Sequence, residues 1–388
     1  MMLLENLVTR RASEENASKS SLTRRVTKQG HSLLAALSAN VLFLSSSPAL
    51  IFPATDETIL RAAALLADGQ LVGIPTETVY GLAANAWDAA AVRKIFIAKS
   101  RPPNNPLIVH VASIDRLCDA IQWPPTEIVQ RQLDAIVDLW PGPLTVVCAR
   151  AQRIPDEVTA GSSLVAVRIP AHDVALALLD ACDFPIAAPS ANRSQYISPT
   201  QPEHLFGASG VSDHIAMVLD GGPCRWGVES TIIKLGDANP TLLRPGAISH
   251  RELANRFGID PDSMLFSHDE NQSVLLAPGM MREHYSPTSP LTLIDDDHVA
   301  GLSSLQPRRG RVGRIAFAPI SASEAAGYAV VETLSSTGDF EEIAHELFAA
   351  MRRLDELQLD AIHCDTCSPV GLGHTIMDRL RRAAARRE

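Results

Sequence analysis

Between Asp56 and Leu235, apolar runs of three to six residues recur with helical stretches between several of them, which points to an α/β domain with a mixed sheet. The first unit sets the pattern. Asp56 and Glu57 make an acidic first turn, Ile59, Ala62, Ala63 and Leu66 share one face, and Gly69 marks the stop of a helix. Leu71 to Ile74 then reads as a buried strand, and Asp88 caps a helix that carries Val92, Ile95 and Phe96 on one side. Further strands are expected at Leu107 to Val111, Leu144 to Cys148, Leu164 to Ile169, Ile186 to Ala188, Ile215 to Leu219 and Thr231 to Leu235.

The pattern lapses between Phe266 and Pro290 into polar sequence with Pro278, Pro287 and Pro290, which reads as a linker. Beyond it, strands are expected at Leu291 to Ile294, Arg314 to Phe317, Ala329 to Val331 and Ala361 to Cys364, with helices over about Phe340 to Leu357 and Thr375 to Ala385. The 388 residues are 46% hydrophobic, enough for two packed cores. The expected divisions are an extension over 1–52, an α/β domain over 53–265, a linker over 266–290 and a small α/β domain over 291–388.

In the extension, Arg10, Arg11, Lys19, Arg24, Arg25 and Lys28 precede an apolar run from Leu33 to Leu44, an order that imitates a signal peptide. The basic region is too long, and Ser38 and Asn40 interrupt the apolar run, so a disordered extension or an over-called start is expected rather than export. No later stretch has the roughly eighteen apolar residues of a membrane span. A formal charge of -10 argues against broad contact with nucleic acid. Six thinly spread cysteines suit reduced thiols in the cytoplasm, and the single C-x-x-C of Cys364 and Cys367 lacks a second pair, so no metal site is expected.

Four segments can carry chemistry. Pro75-Thr76-Glu77-Thr78-Val79-Tyr80-Gly81-Leu82 follows a strand directly and presents two hydroxyls where α/β sheets commonly bind ligands, although a plain turn would use the same residues. Lys99 follows Ile95 by four positions on the apolar face of its helix, and Arg101 comes two residues later. That pair suits an anion, while a cation complementing the helix dipole is the plainer alternative. Arg168 ends an apolar strand on the side of Leu164 and Ala166, where it needs either a substrate carboxylate or an internal Asp or Glu. The hydroxyl-rich stretch Pro189-Ser190-Ala191-Asn192-Arg193-Ser194 with Ser198-Pro199-Thr200 can wrap phosphates or simply turn.

Together with Pro-Leu-Ile-Val-His, Trp-Pro-Gly-Pro-Leu-Thr, Glu-Ser-Thr and Leu-Arg-Pro-Gly, these segments resemble the YrdC-like family of threonylcarbamoyl-AMP synthases from about Asp56 to Phe257, and the remainder resembles its long, two-domain form. The resemblance implies a twisted mixed sheet around a large cavity, followed by a linker and a small Rossmann-like α/β domain. It implies that Thr78, His110, Arg168, the backbone of Ala188 and Ser230 surround L-threonine. Arg101, Asn105, Leu164, Ser190, Ser198, Arg244 and Tyr285 would contact ATP, with Tyr285 on a linker that folds over the nucleotide as a lid. Lys99 and Arg101 would carry the catalytic charge at the phosphates. Leu164 stands where the family usually has Thr, Gln195 where it has Gly, and Met281 where the lid carries Lys or Arg.

The implied reaction converts L-threonine, bicarbonate and ATP with Mg²⁺ into threonylcarbamoyl-AMP and pyrophosphate, for a downstream transferase that modifies a tRNA adenosine. Both reactants are anions, which is why cations rather than a nucleophilic triad are expected. A non-catalytic RNA-binding module is a rival reading that the acidic charge and the 5% aromatic content disfavour, so tRNA contact is expected to be weak. A carbamoyl-transfer enzyme sharing the domain would bring acylphosphatase and zinc-finger segments, which do not occur here.

Overall fold

The structure is a computed structural model that describes residues 51–207, 209–264, 276–279, 284–294 and 310–385. The expected extension up to residue 50, much of the linker and the Met281 departure lie outside the described residues. Ten strands form the first sheet: β1 (Ile51–Pro53), β2 (Val72–Ile74), β3 (Gly81–Asn85), β4 (Ile108–His110), β5 (Leu144–Ala149), β6 (Leu164–Arg168), β7 (Ile186–Ala187), β8 (Met217–Asp220), β9 (Thr231–Lys234) and β10 (Thr241–Arg244). Their order, β1-β8-β2-β3-β7-β4-β6-β5-β9-β10, mixes parallel pairs such as β4 with β6 and antiparallel pairs such as β5 with β6. The boundary expected at residue 52 falls inside β1, which pairs parallel with β8.

Helix α1 (Asp56–Ala67) starts at Thr55, whose hydroxyl accepts from the Thr58 amide in a reciprocal capping box. Its buried face, Ala62, Ala63 and Leu66, packs with Leu178 and Leu179 of α3 (Asp173–Ala181) over Val72, Ile74, Met217 and Leu219 of the sheet. Between them in the chain, α2 (Ala89–Lys99) is capped by Asp88, as its spacing predicts, and ends at Ser100 in the left-handed conformation.

The second sheet contains β11 (Leu291–Ile294), β12 (Val312–Ala316), β13 (Val330–Thr333) and β14 (Ala361–Asp365) in the order β11-β14-β12-β13, with every pair parallel. Its two long helices are α4 (Phe340–Glu356) and α5 (Leu372–Ala384). Asp339 caps α4 by accepting from the amides of Glu341 and Glu342, and Ile343, Leu347, Phe348, Met351 and Leu354 form its buried stripe. That stripe does not close over its own sheet alone. Ile197 and Val228 from the first sheet's loops, together with Tyr285, belong to the same apolar cluster. The two sheets are therefore joined by a common core.

Candidate functional site

The turn after β2 is built by Thr76. Its Oγ1 accepts from the amides of Thr78 and Val79, both at 3.2 Å, and lies 2.6 Å from the Val79 carbonyl. Thr76 is thus the turn residue, and Thr78 is turned toward a cation: Arg168 Nη1 donates to Thr78 Oγ1 at 2.9 Å. Arg168 occupies the end of β6, on the side of Ala166, and pairs in register with His110 of β4. Alternation along the strand carries both side chains to the cavity.

Arg168 is not an open charge. Its Nε donates to the Gly142 carbonyl at 3.2 Å, and its Nη2 lies 2.6 Å from Glu77 Oε1, with both side chains 4% exposed. The Nη2 and the two Glu77 oxygens nevertheless form no aligned hydrogen bond, so this contact is a charge pairing with donor and acceptor capacity left over. Burial, followed by the Arg168 charge, holds the His110 imidazole down to about 3, which leaves it neutral, and its Nδ1 has no partner.

Two further buried cations, Arg101 and Arg244, line the same cavity. Arg101 donates through Nε to the Asn105 carbonyl at 2.9 Å, and through Nη2 to Asn105 Oδ1 at 2.6 Å and the Pro106 carbonyl at 2.7 Å. Arg244, at the end of β10, donates through Nη2 to the Ser230 carbonyl at 2.9 Å and Ser230 Oγ at 3.1 Å, and through Nη1 to the Pro278 carbonyl at 3.2 Å. Burial lowers the proton affinity of both guanidiniums, a penalty that a bound anion would relieve. Tyr285 is fully buried at a φ of +65° and stacks on Phe348 of α4 with ring centroids 5.4 Å apart. Gly279 leaves room for it, because a β-carbon there would come within 2.8 Å of the tyrosine hydroxyl.

Thr78, Arg101, His110, Arg168, Ala188, Ser190, Ser230, Arg244 and Tyr285 all line one cavity. Four expected residues stand behind that wall. Asn105 holds Arg101. Ser198 donates to Glu229 Oε1 at 2.6 Å. Leu164, like Leu276, packs against the cluster that contains Ile108, Ala166 and Ala277, and Lys99 donates to the Ser190 and Asn192 carbonyls. Burial and then the Arg101 charge push the Lys99 ammonium well below the usual lysine range. The sequence reading gave no role to Glu77, Glu229 or His284. Glu229 and His284 line the cavity, and Glu77 sits beside Arg168. The signal for the two acids is the arginine in an apolar setting, which needs a counter-charge; His284 has no such signal.

A twisted mixed sheet whose loops gather buried cations around one cavity defines a class of α/β enzymes. The profile of the Sua5, YciO and YrdC family, described as "Telomere recombination", matches residues 64–246, and that of "Threonylcarbamoyl-AMP synthase, C-terminal domain" matches 248–385. The threonylcarbamoyl-AMP synthase of Bacillus subtilis is 39% identical over 86% of this chain and 94% of its own length, and that of Pyrococcus abyssi is 37% identical over 84% and 94%. The crystal structure of P. abyssi Sua5 complexed with L-threonine superposes with a TM-score of 0.73 at 36% identity, covering 86% of this chain and 97% of that one. The chain belongs to the threonylcarbamoyl-AMP synthase family.

Proposed function

We propose that this chain joins L-threonine, bicarbonate and ATP into threonylcarbamoyl-AMP and pyrophosphate, the activated group for a tRNA threonylcarbamoyl transferase. The observation that carries this reading is the cavity whose wall gathers the three guanidiniums of Arg101, Arg168 and Arg244, which suits it to holding two anions together. Thr78, His110, Arg168, Ser230 and the Ala188 backbone would hold threonine. Arg101, Ser190, Arg244 and Tyr285 would touch the nucleotide, with Asn105, Ser198, Leu164 and Lys99 supporting them from behind.

Threonine's amine condenses with bicarbonate to a carbamate, releasing water, and a carbamate oxygen then bonds to the α-phosphorus while the bond to the pyrophosphate oxygen breaks. Neutral His110 can accept or donate a hydrogen bond beside Arg168 without adding charge. Tyr285 and Gly279 line the same cavity and would help to shield a labile product from water. Among the described residues on the wall, the carboxylate of Glu229 is engaged by Ser198 and Arg379. Mg²⁺ is proposed as the companion of the ATP phosphates.

A cytoplasmic setting is proposed from the free state of the cysteines and the use of ATP. No described helix is long and apolar enough to cross a membrane. The test is mass spectrometry of products with coupled pyrophosphate detection. Threonylcarbamoyl-AMP and pyrophosphate should appear only when threonine, bicarbonate, Mg²⁺ and ATP are all present, and pyrophosphate release without threonine would overturn the reading.

A further inference from the structure

Glu229 is an acid on the wall of a cavity proposed to hold a triphosphate. It precedes Ser230, is 5% exposed, and lines the same space as Arg101 and Arg244. Burial pushes its carboxyl up, but Arg379 and then Arg244 outweigh that and hold it at about 2, so it is ionised at neutral pH. An ionised carboxylate in that position would repel phosphates unless its charge is met.

The partner that meets it comes from the second domain. Arg379, on α5 and 1% exposed, donates from Nε to Glu229 Oε2 at 2.7 Å. Its Nη2 donates to the Pro245 carbonyl at 2.9 Å, its Nη1 pairs with Asp378, and its guanidinium lies 5.0 Å from the centre of the Tyr285 ring. Arg379 is absent from the cavity wall, so its charge reaches the nucleotide side through Glu229. The other Glu229 oxygen accepts from Ser198, and Arg352 of α4 donates to the carbonyls of Ile197 and Ser198 behind it.

We infer that Arg379 is a positioning residue by which the second domain neutralises Glu229 and so keeps the nucleotide side of the cavity open to a polyphosphate. The inference rests on the proposed reading in that ATP is taken to bind there. It gives the second domain an electrostatic task in addition to packing. It also separates the two acids of the site: Glu77 is balanced from within the first domain, by Arg168, and Glu229 chiefly from outside it, by Arg379, with Arg244 adding to it.

The experiment uses the full chain with Arg379→Gln, Glu229→Gln and the double substitution. Calorimetry measures a non-hydrolysable ATP analogue and threonine separately, and circular dichroism follows the fold. Arg379→Gln should weaken the analogue by roughly tenfold or more while changing threonine much less. Glu229→Gln alone should bind the analogue at least as well as the unmodified chain, and adding it to Arg379→Gln should recover most of the loss. A double variant as weak as Arg379→Gln overturns the inference, as does an Arg379→Gln variant that binds normally. If Arg379→Gln fails to fold, the double variant should fold, and its failure to do so equally overturns charge compensation. Neither measurement depends on turnover. A wild-type chain that binds the analogue but makes no threonylcarbamoyl-AMP would therefore remove the proposed function and leave this inference standing, whereas no binding at all would remove both.

Discussion

Arg168 and Glu77 are each 4% exposed, so their pairing replaces hydration that both have lost. Under the proposed function, threonine would meet a guanidinium whose charge is partly balanced but whose Nη2 hydrogen-bonding direction is unused. Arg168→Ala should weaken threonine by about 2–5 kcal/mol and ATP much less, because it deletes the carboxylate's partner and strands Glu77. Calorimetry with each ligand checks this, and equal losses would mark a structural arginine. Glu77→Gln leaves Arg168 buried and unmatched, which should cost about 3–5 kcal/mol of stability. Threonine should then raise the melting temperature more than it does in the unmodified chain, since its carboxylate would replace the missing charge. His110 and His284 are both held from the usual 6.5 down to about 3, chiefly by burial. The unfolded chain binds these protons first, so stability is complete above about 6.5 and falls as pH drops toward 3. Glu229, lowered from 4.5 to about 2, adds loss in the same direction below about 4.5. Urea midpoints measured across this range should decline on acidification, and His284→Asn should flatten the upper part of the decline.

Among the elements, Gly227 has a φ of +67°, and a β-carbon there would lie 2.4 Å from the His345 carbonyl oxygen of α4. Gly227→Ala should cost more than the roughly 1–2 kcal/mol of the backbone conformation alone, because α4 must also retreat. Thermal melts with and without the ATP analogue would show lower stability and weaker binding together. The elements legible in the sequence are those with an apolar run or a cap: α1, α2, α4 and α5, and the strands β2, β4 to β9 and β11 to β14, with ends that agree to within about three residues. Three strands escaped for separate reasons. Gly81 to Asn85 is rich in small residues with little strand preference, Thr241 to Arg244 is framed by Pro240 and Pro245, and Ile51 to Pro53 adjoins a serine-rich stretch. The cavity was legible through hydroxyls and cations at strand ends. Its counter-charges were not, because Glu229 and Arg379 lie 150 positions apart and periodicity carries no information about such a pairing.

At the scale of the whole molecule, Ile197, Val228 and Tyr285 share a core with Phe348, Leu347 and Ile376, and Thr375 donates to the Gly246 carbonyl at 2.8 Å. Cores joined in this way should unfold together. Scanning calorimetry should give one transition whose calorimetric and van't Hoff enthalpies agree, and two resolved transitions would show that the cores are independent. The shared core also limits how the chain can be recombined. In a chimera that takes residues up to the linker from this protein and the remainder from a relative, α4 must match Gly227 and α5 must bring an arginine to Glu229. The transferable unit is thus defined by contacts rather than by the linker: a graft that moves Gly227, Glu229, Tyr285, Phe348 and Arg379 as a set should survive, whereas a cut placed simply between the two sheets should yield a folded hybrid with a mismatched active site.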